Sequence, residues 1–366
     1  MDSSSSESVE HNITESEGGF LEIEGDIHPS YTIPESAKIL IISRDQTFLT
    51  HGVHKFPAKF FPELPRYLIK RYSEPNQTVL DPMCGSGTVI LEAMLASRTA
   101  IGIDIDPMAR LITKVKTTPL DFEILTSAKE ELIALLYRRY KAMQRIRPIP
   151  EFNYRDTWFK DFVLEELGIL YECIHDLRYF KMDGKFKKDI TDFFSIVFSS
   201  IVRDVSNADP HCTRTVIRKN LVKKIALGDV IRRFHDALSK QVRAMHDLSE
   251  ACASREIGRV RLPRSTATQT GLDDESVDLV VTSPPYINAV DYPRTHQLEM
   301  YWLGLIEEGP LSNMKRRYIG TETVYKEEYS NLRTTGLQTL DPVLTKIFSR
   351  DPRRSFIVFK FFEDMK

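Results

Sequence analysis

Toward the C-terminal end of the chain, Thr282-Ser283-Pro284-Pro285-Tyr286 follows an apolar run, Val277-Asp278-Leu279-Val280-Val281, that reads as a buried strand. Two prolines hold φ at about −65° and remove two backbone donors. The loop is therefore stiff, and its carbonyls stay free to accept hydrogen bonds. Ser283 and those carbonyls suit an amino group that carries N–H donors. Tyr286 offers a flat face on which a planar ring can stack. Together they read as a pocket for an exocyclic amine on a base. A strand that ends in an ordinary proline turn would carry similar residues, so the pentapeptide needs a chemical partner elsewhere in the chain.

That partner lies far upstream. Thr78-Val79-Leu80-Asp81 reads as a short strand, Pro82-Met83-Cys84-Gly85-Ser86-Gly87-Thr88 as a glycine-rich turn, and residues 89–96 as an apolar helix. Glycines let the backbone approach a ligand closely. The helix N-terminus adds free N–H groups and a partial positive charge. Ala100-Ile101-Gly102-Ile103-Asp104 reads as a second buried strand that ends in a carboxylate. An acid at this place, about 20 residues after the glycines, suits the two hydroxyls of a ribose. Position 90 is Ile, so Gly-x-Gly-x-x-Gly is not completed and a nicotinamide cofactor is disfavoured.

These two motifs resemble those of S-adenosylmethionine-dependent DNA amino-methyltransferases. The upstream turn is similar to their Asp-Pro-Phe-x-Gly-Ser-Gly-Thr signature, with Met83 in place of the aromatic. The downstream loop is similar to their (Ser/Asp/Asn)-Pro-Pro-(Tyr/Phe) motif, in the serine form of the N4-cytosine branch. A third stretch, His54-Lys55-Phe56-Pro57-Ala58-Lys59-Phe60, resembles a His-x-x-Pro-Ala-Lys-Phe segment that closes over the methionine end of the cofactor. It also reads simply as a loop feeding an amphipathic helix over 62–71. The resemblance implies S-adenosylmethionine as cofactor. Asp81, Gly85 and Gly87 would line its methionine part, Asp104 would bind its ribose, and Lys59 and Phe60 would lie near the methionine end. Pro82, Cys84, Thr88 and Ile105 complete the implied cofactor set. Ser283, Pro284, Pro285 and Tyr286 would be catalytic, and Asn288, Tyr292 and Arg294 would contact the substrate base.

Composition fits that reading. The chain has 366 residues, 42% hydrophobic and 28% charged, enough for a substantial core. No apolar run approaches the ~20 residues that span a bilayer, and no secretory signal is visible at the N-terminus. The expectation is a cytoplasmic, prokaryotic, nucleoid-associated protein. Cys84, Cys173, Cys212 and Cys252 show no Cys-x-x-Cys spacing, so free thiols are expected rather than a metal site or disulfides. The net charge of −2 hides an uneven distribution. Residues 1–37 contain no Lys or Arg and are rich in Ser and acids, which reads as a disordered acidic tail.

Four regions follow: the tail, 1–37; a cofactor-binding half, 38–120; a helical insertion, 121–256; and a catalytic half, 257–366. In the insertion, residues 128–140, 161–170 and 225–248 show helical periodicity, and 192–202 is apolar nearly all round. Its basic residues (among them Lys185, Lys187, Lys188, Arg203, Arg214, Arg218, Lys219 and Lys223) read equally as phosphate contacts for target recognition or as a solvated helix surface. Residues 203–209 mix donors and acceptors in a turn-prone stretch suited to base edges or to ordering the cleft.

The fold class implied is α/β, a Rossmann-like methyltransferase sheet with helices on both faces and a large helical insertion. Strand one ends in the glycine turn and strand four in Ser-Pro-Pro-Tyr, and in the resembling family these two are neighbours where strand order reverses. The function implied is methyl transfer to the N4 amine of cytosine in double-stranded DNA, with the base flipped out of the helix. No metal and no membrane are called for, and a cognate restriction endonuclease is an implied partner. The alternatives are an N6-adenine DNA or RNA amino-methyltransferase, and an inactive or split DNA-binding subunit. The last arises because only helix-like segments follow Tyr286, apart from the apolar run 355–362. The C-terminal strands are therefore expected to be missing, leaving a sheet edge for a second polypeptide to complete.

Overall fold

The computed structural model describes residues 13–15, 19–143, 149–176, 184–218, 220, 222–287, 291–306 and 311–366. Short apolar runs build the central sheet. Strands β4 (Thr78–Asp81), β5 (Thr99–Gly102), β6 (Val260–Arg261) and β7 (Leu279–Val280) are all parallel and lie in the order β6-β5-β4-β7. Alternation along each strand sends side chains to opposite faces. Val79, Ala100 and Val281 pack with α1 (Glu63–Tyr72) and α2 (Thr88–Leu95), while Leu80, Ile101 and Ile103 pack against Leu272 and Val277. The Asp278 N–H donates to the Thr78 carbonyl (3.0 Å) and the Val281 N–H to the Leu80 carbonyl (3.0 Å), so the β4–β7 ladder extends over most of the predicted run 277–281. The expected adjacency of strands one and four is thus present: Val79 pairs with Leu279 and Leu80 with Val280.

Between the two halves of this sheet run α3 (Pro107–Lys116), α4 (Phe122–Ala142), α5 (Arg155–Trp158), α6 (Asp161–His175), α7 (Gly184–Val202) and α8 (Asp229–Ala253). Helix α7 buries Phe193, Phe194, Ile196, Val197, Phe198, Ile201 and Val202, as its all-round apolar pattern demands. These helices share one hydrophobic core with Leu91 and Met94 of α2 and Met108 and Ile112 of α3. The helical block is therefore fused to the sheet layer rather than hung from it. No helix among the described residues is long and apolar enough to cross a membrane.

The expected disordered tail differs where it is described. Strands β1 (Ile13–Glu15), β2 (Phe20–Glu24) and β3 (Lys38–Ile42) form a second sheet, β1 antiparallel and β3 parallel to β2. Ile23 and Ile27 are buried against Tyr67 of α1. The missing basic residues dominated the composition of this stretch, but Phe20-Leu21-Glu22-Ile23-Glu24 alternates with period two, the signature of a half-buried strand. Residues 1–12 and 16–18 lie outside the described residues.

After β7 come α9 (Tyr292–Thr295), α10 (Gln297–Trp302), α11 (Leu311–Arg316), α12 (Asp341–Phe348) and α13 (Pro352–Met365). The run 355–362 is helical, within α13, and among the described residues the central sheet has four strands with β7 at one edge. At the other edge, Gly258 lets the chain pass close to α2. Its N–H donates to the Met94 carbonyl (2.8 Å), and a Cβ there would overlap the Arg98 backbone. Replacing Gly258 by Ala should therefore lower the unfolding free energy by roughly 3 kcal/mol, a typical overpacking cost. Chemical denaturation measures this, and an unchanged midpoint would contradict the packing described.

Candidate active site

The glycine turn is bent by two left-handed residues, Gly85 (φ +50°) and Gly87 (φ +74°). A Cβ at Gly87 would lie 2.5 Å from the Thr113 methyl group, so both the backbone angle and the space require glycine. Asp104 fixes the turn from the tip of the next strand. One carboxylate oxygen accepts from the Gly85 N–H (2.8 Å) and the other from the Asp106 N–H (2.8 Å). Asp106 in turn caps α3, accepting from the N–H groups of Met108 (2.7 Å) and Ala109 (3.1 Å). Burial pushes the carboxyls of both Asp81 and Asp104 up to about 7.

A second layer supports the turn from beneath. Lys116 is almost wholly buried, with its ammonium nitrogen 3.4 Å from the Ser86 hydroxyl, and burial brings its pKa down to about 7. His51 is held neutral by burial, its pKa lowered to about 4, and its Nε2 lies 2.8 Å from Glu92 Oε1. Arg66 grips both Glu92 oxygens (2.8 and 2.9 Å) and reaches out to Asp26.

Above the turn lies a cavity of about 470 Å³. Its walls gather nearly every implied cofactor residue: Lys59, Phe60, Asp81, Pro82, Cys84, Gly85, Thr88, Asp104 and Ile105. Ser283 and Pro285 reach the same cavity from the end of β7, and Tyr292 reaches it from α9. Gly87 shapes the turn without lining the cavity. Pro284 and Tyr286 are exposed at its rim, Tyr286 with 62% of its surface in solvent. Tyr292 stacks on Phe56 (ring centroids 6.0 Å apart), and burial raises its pKa to about 12.

Three placements differ from the implied ones. The Lys59 ammonium points away from the cavity to the carbonyls of Gln46 (3.0 Å) and His51 (3.3 Å), so its role is to pin the preceding loop. Arg294 does not line the cavity; its carbonyl accepts from the Thr215 N–H (3.4 Å). Asn288 lies outside the described residues. Several lining residues carry no sequence signal: Phe56, the turn 266–269, Tyr318, and Lys360 with Asp364 of α13. Only Phe56 belongs to a recognisable stretch. The others arrive from distant, motif-free segments.

The basic side chains of the helical block divide. Arg203 is turned inward to the carbonyls of Thr213 (3.1 Å) and Asp209 (3.0 Å), and Arg218 pairs with Asp209 (2.8 Å). Lys185, Lys187 and Lys188 instead line a wide cleft with Arg110, Lys114 and Arg264, and this cleft meets the cavity at Asp104 and Ile105. Lys219 lies outside the described residues.

The cavity fits an adenosyl-methionine ligand on grounds internal to the chain. The Thr88 hydroxyl is buried in its wall without a hydrogen-bond partner. Asp81 supplies a carboxylate for an ammonium group, and Asp104 keeps lone pairs for a sugar hydroxyl. Buried acids with raised pKa also make a pH signature. In the unfolded chain Asp104 titrates near 3.8, and in the folded state near 7. The folded state thus keeps a proton that the unfolded chain loses, and this contribution to stability fades as pH rises from about 4 to about 7. Without cofactor, the Asp104→Asn protein should gain stability relative to wild type across that window, as read by urea denaturation at each pH. A pH-independent difference would exclude a raised Asp104.

Comparison with known proteins places this site. Residues 30–114 match the model of the N6/N4 DNA methylase family, a segment that contains the glycine turn, Asp104 and the 54–60 loop. The chain is 25% identical over 350 residues to the type II methyltransferase M.MvaI of Kocuria varians, covering 87% of this chain and 72% of that protein. It is 24% identical over 315 residues to M.BsoBI of Geobacillus stearothermophilus, covering 77% of this chain and 58% of the relative. With M.MjaII of Methanocaldococcus jannaschii the identity is 25% over 170 residues, only 32% of that relative. Such enzymes take their methyl group from S-adenosylmethionine. The family match and the relatives together support a DNA amino-methyltransferase of the N6/N4 type.

Proposed function

We propose that the chain transfers a methyl group from S-adenosylmethionine to the exocyclic N4 amine of a cytosine in DNA. One observation carries the reading. Ser283 and Pro285 open into the same cavity as the glycine turn and Asp104, because β7 pairs directly with β4. An amine pocket and a nucleotide cradle therefore share one space.

The cofactor supplies an electrophilic methyl group when bound. The chain's own residues do the rest. Thr88, Asp81 and Asp104 hold and orient the donor. The target base leaves the helix at a cost of a few kcal/mol, and stacking on Tyr286 offsets about 1–3 kcal/mol of it. The Ser283 hydroxyl and the Pro284 carbonyl accept the two N–H groups of the amine, which turns its lone pair out of conjugation and toward the methyl carbon. The N–C bond forms as the S–C bond breaks, and the extra proton on nitrogen leaves to solvent. Placement of the two reacting atoms is the main source of rate. Tyr286 is largely solvent-exposed here, as a stacking platform awaiting a base would be.

Incubation of the purified protein with tritiated S-adenosylmethionine and DNA, followed by nucleoside digestion, tests the reading. N4-methylcytosine is the expected product. Label in N6-methyladenine or in RNA would move the assignment to that substrate, and cofactor binding without transfer would favour a DNA-binding subunit. Ser283→Ala should lower transfer at least about 100-fold and Tyr286→Ala about 10- to 100-fold. Cofactor affinity should stay within about twofold in both, and a parallel loss of cofactor binding would remove these residues from the amine pocket.

A further inference from the structure

A second cavity, about 270 Å³, lies behind Phe56 and Pro57, which wall it off from the first. Its interior is polar and unpaired. His296 is 3% exposed, and neither ring nitrogen has a hydrogen-bond partner. Glu299, also 3% exposed, has a free carboxylate oxygen, and its other oxygen stands 4.0 Å from His296 Nδ1, too far for a hydrogen bond. The Arg203 Nε–H is buried and unpaired as well, although its two terminal nitrogens are spent on backbone carbonyls. Buried polar atoms are nearly always paired, and an unsatisfied one costs about 1–3 kcal/mol. Four such atoms around one cavity mark a site built for something else to complete.

The chemistry of the lining selects the ligand. Burial holds both His54 and His296 neutral, so the His296 ring presents one donor and one acceptor. Glu299 accepts and Arg203 donates. Asp204 at the mouth adds a second carboxylate, which disfavours a free anion. Among the described residues no group of His, Cys, Asp or Glu is placed to hold a metal ion. What fits is a flat ring whose edge carries neighbouring N–H and C=O groups. The mouth is flanked by Lys55, whose side chain is 87% exposed, and by the exposed Arg214 next to Thr213. That rim suits a phosphodiester chain attached to the ring.

We propose that this cavity binds a second nucleobase of the DNA substrate, held out of the helix beside the target base, and that its lining selects guanine. The carboxylate of Glu299 would accept from N1–H and the exocyclic amine, and Arg203 would donate to a ring acceptor, a pattern that adenine cannot match. The assignment rests on the DNA-methyltransferase reading. When a cytosine leaves the duplex, the guanine it was paired with is left unpaired, and the common wall of Phe56 and Pro57 places its receptor next door.

The test titrates each of the four deoxynucleosides into the full chain saturated with S-adenosylhomocysteine, followed by saturation-transfer NMR. Loss of S-adenosylhomocysteine binding would count against the methyltransferase reading, independently of this one. Deoxyguanosine should bind most tightly, with at least a tenfold loss in His296→Phe and in Glu299→Gln and no change in Ser283→Ala. Because buried replacements can disturb folding, Thr213→Trp at the exposed rim should block binding equally while leaving S-adenosylhomocysteine affinity intact. No deoxyguanosine binding, binding that survives Thr213→Trp, or binding lost only in Ser283→Ala would overturn the proposal.

Discussion

Two residues of β7 paired to two residues of β4 hold the active site together. They join positions 200 apart in the chain: Val79 with Leu279 and Leu80 with Val280. Closing so long a loop has an entropic cost that grows only slowly with length, and the packed helices between the strands have already met most of it. Once the pairing forms, the chain direction does the rest. Both strands are parallel, so the residues after each of them emerge on the same side of the sheet. The glycine turn and the proline loop then have no choice but to face one another. Open parallel sheets bind ligands at such reversals of strand order for this reason.

Burial is the second organising theme. The floor of the cavity contains acids, a lysine and histidines with little access to water, and their charges are suppressed accordingly. Such a floor is rigid, since each group is fixed by backbone donors or by a neighbour. It is also pre-organised for a ligand with a positive centre and a hydroxylated ring. The acids need no reorganisation when such a ligand arrives.

The local parts of this arrangement were legible in the sequence. A glycine turn between strand and helix, an acid at the tip of the next strand and a proline-locked loop are each contained in fewer than ten residues. Their chemistry follows from backbone geometry. The apolar helix 192–202 was equally clear, because a helix without a polar face has to be central. What escaped depends on contacts between distant segments. Nothing in Thr266 to Gln269 or in Tyr318 announces a cavity wall. Lys59 sits in a motif, yet its ammonium is drawn to carbonyls nearby instead of to the ligand. The first sheet was hidden for a different reason: composition averaged over 37 residues conceals a five-residue strand.

The chain of charges beneath the turn runs from water to the interior: Asp26, Arg66, Glu92, His51. Asp26 belongs to the N-terminal segment that packs on α1, while His51 begins the loop that walls the cavity. The side chain of Asp26 is 66% exposed and that of Glu92 only 2%. Dissolved ions screen exposed pairs over a Debye length of about 8–10 Å at ordinary ionic strength but reach buried ones poorly. The network therefore has a soft outer clasp and a hard inner one. Raising the salt concentration would loosen the N-terminal strap first and leave the grip on the catalytic floor in place. The same ionic conditions that loosen an enzyme from DNA would here spare the geometry on which its chemistry relies.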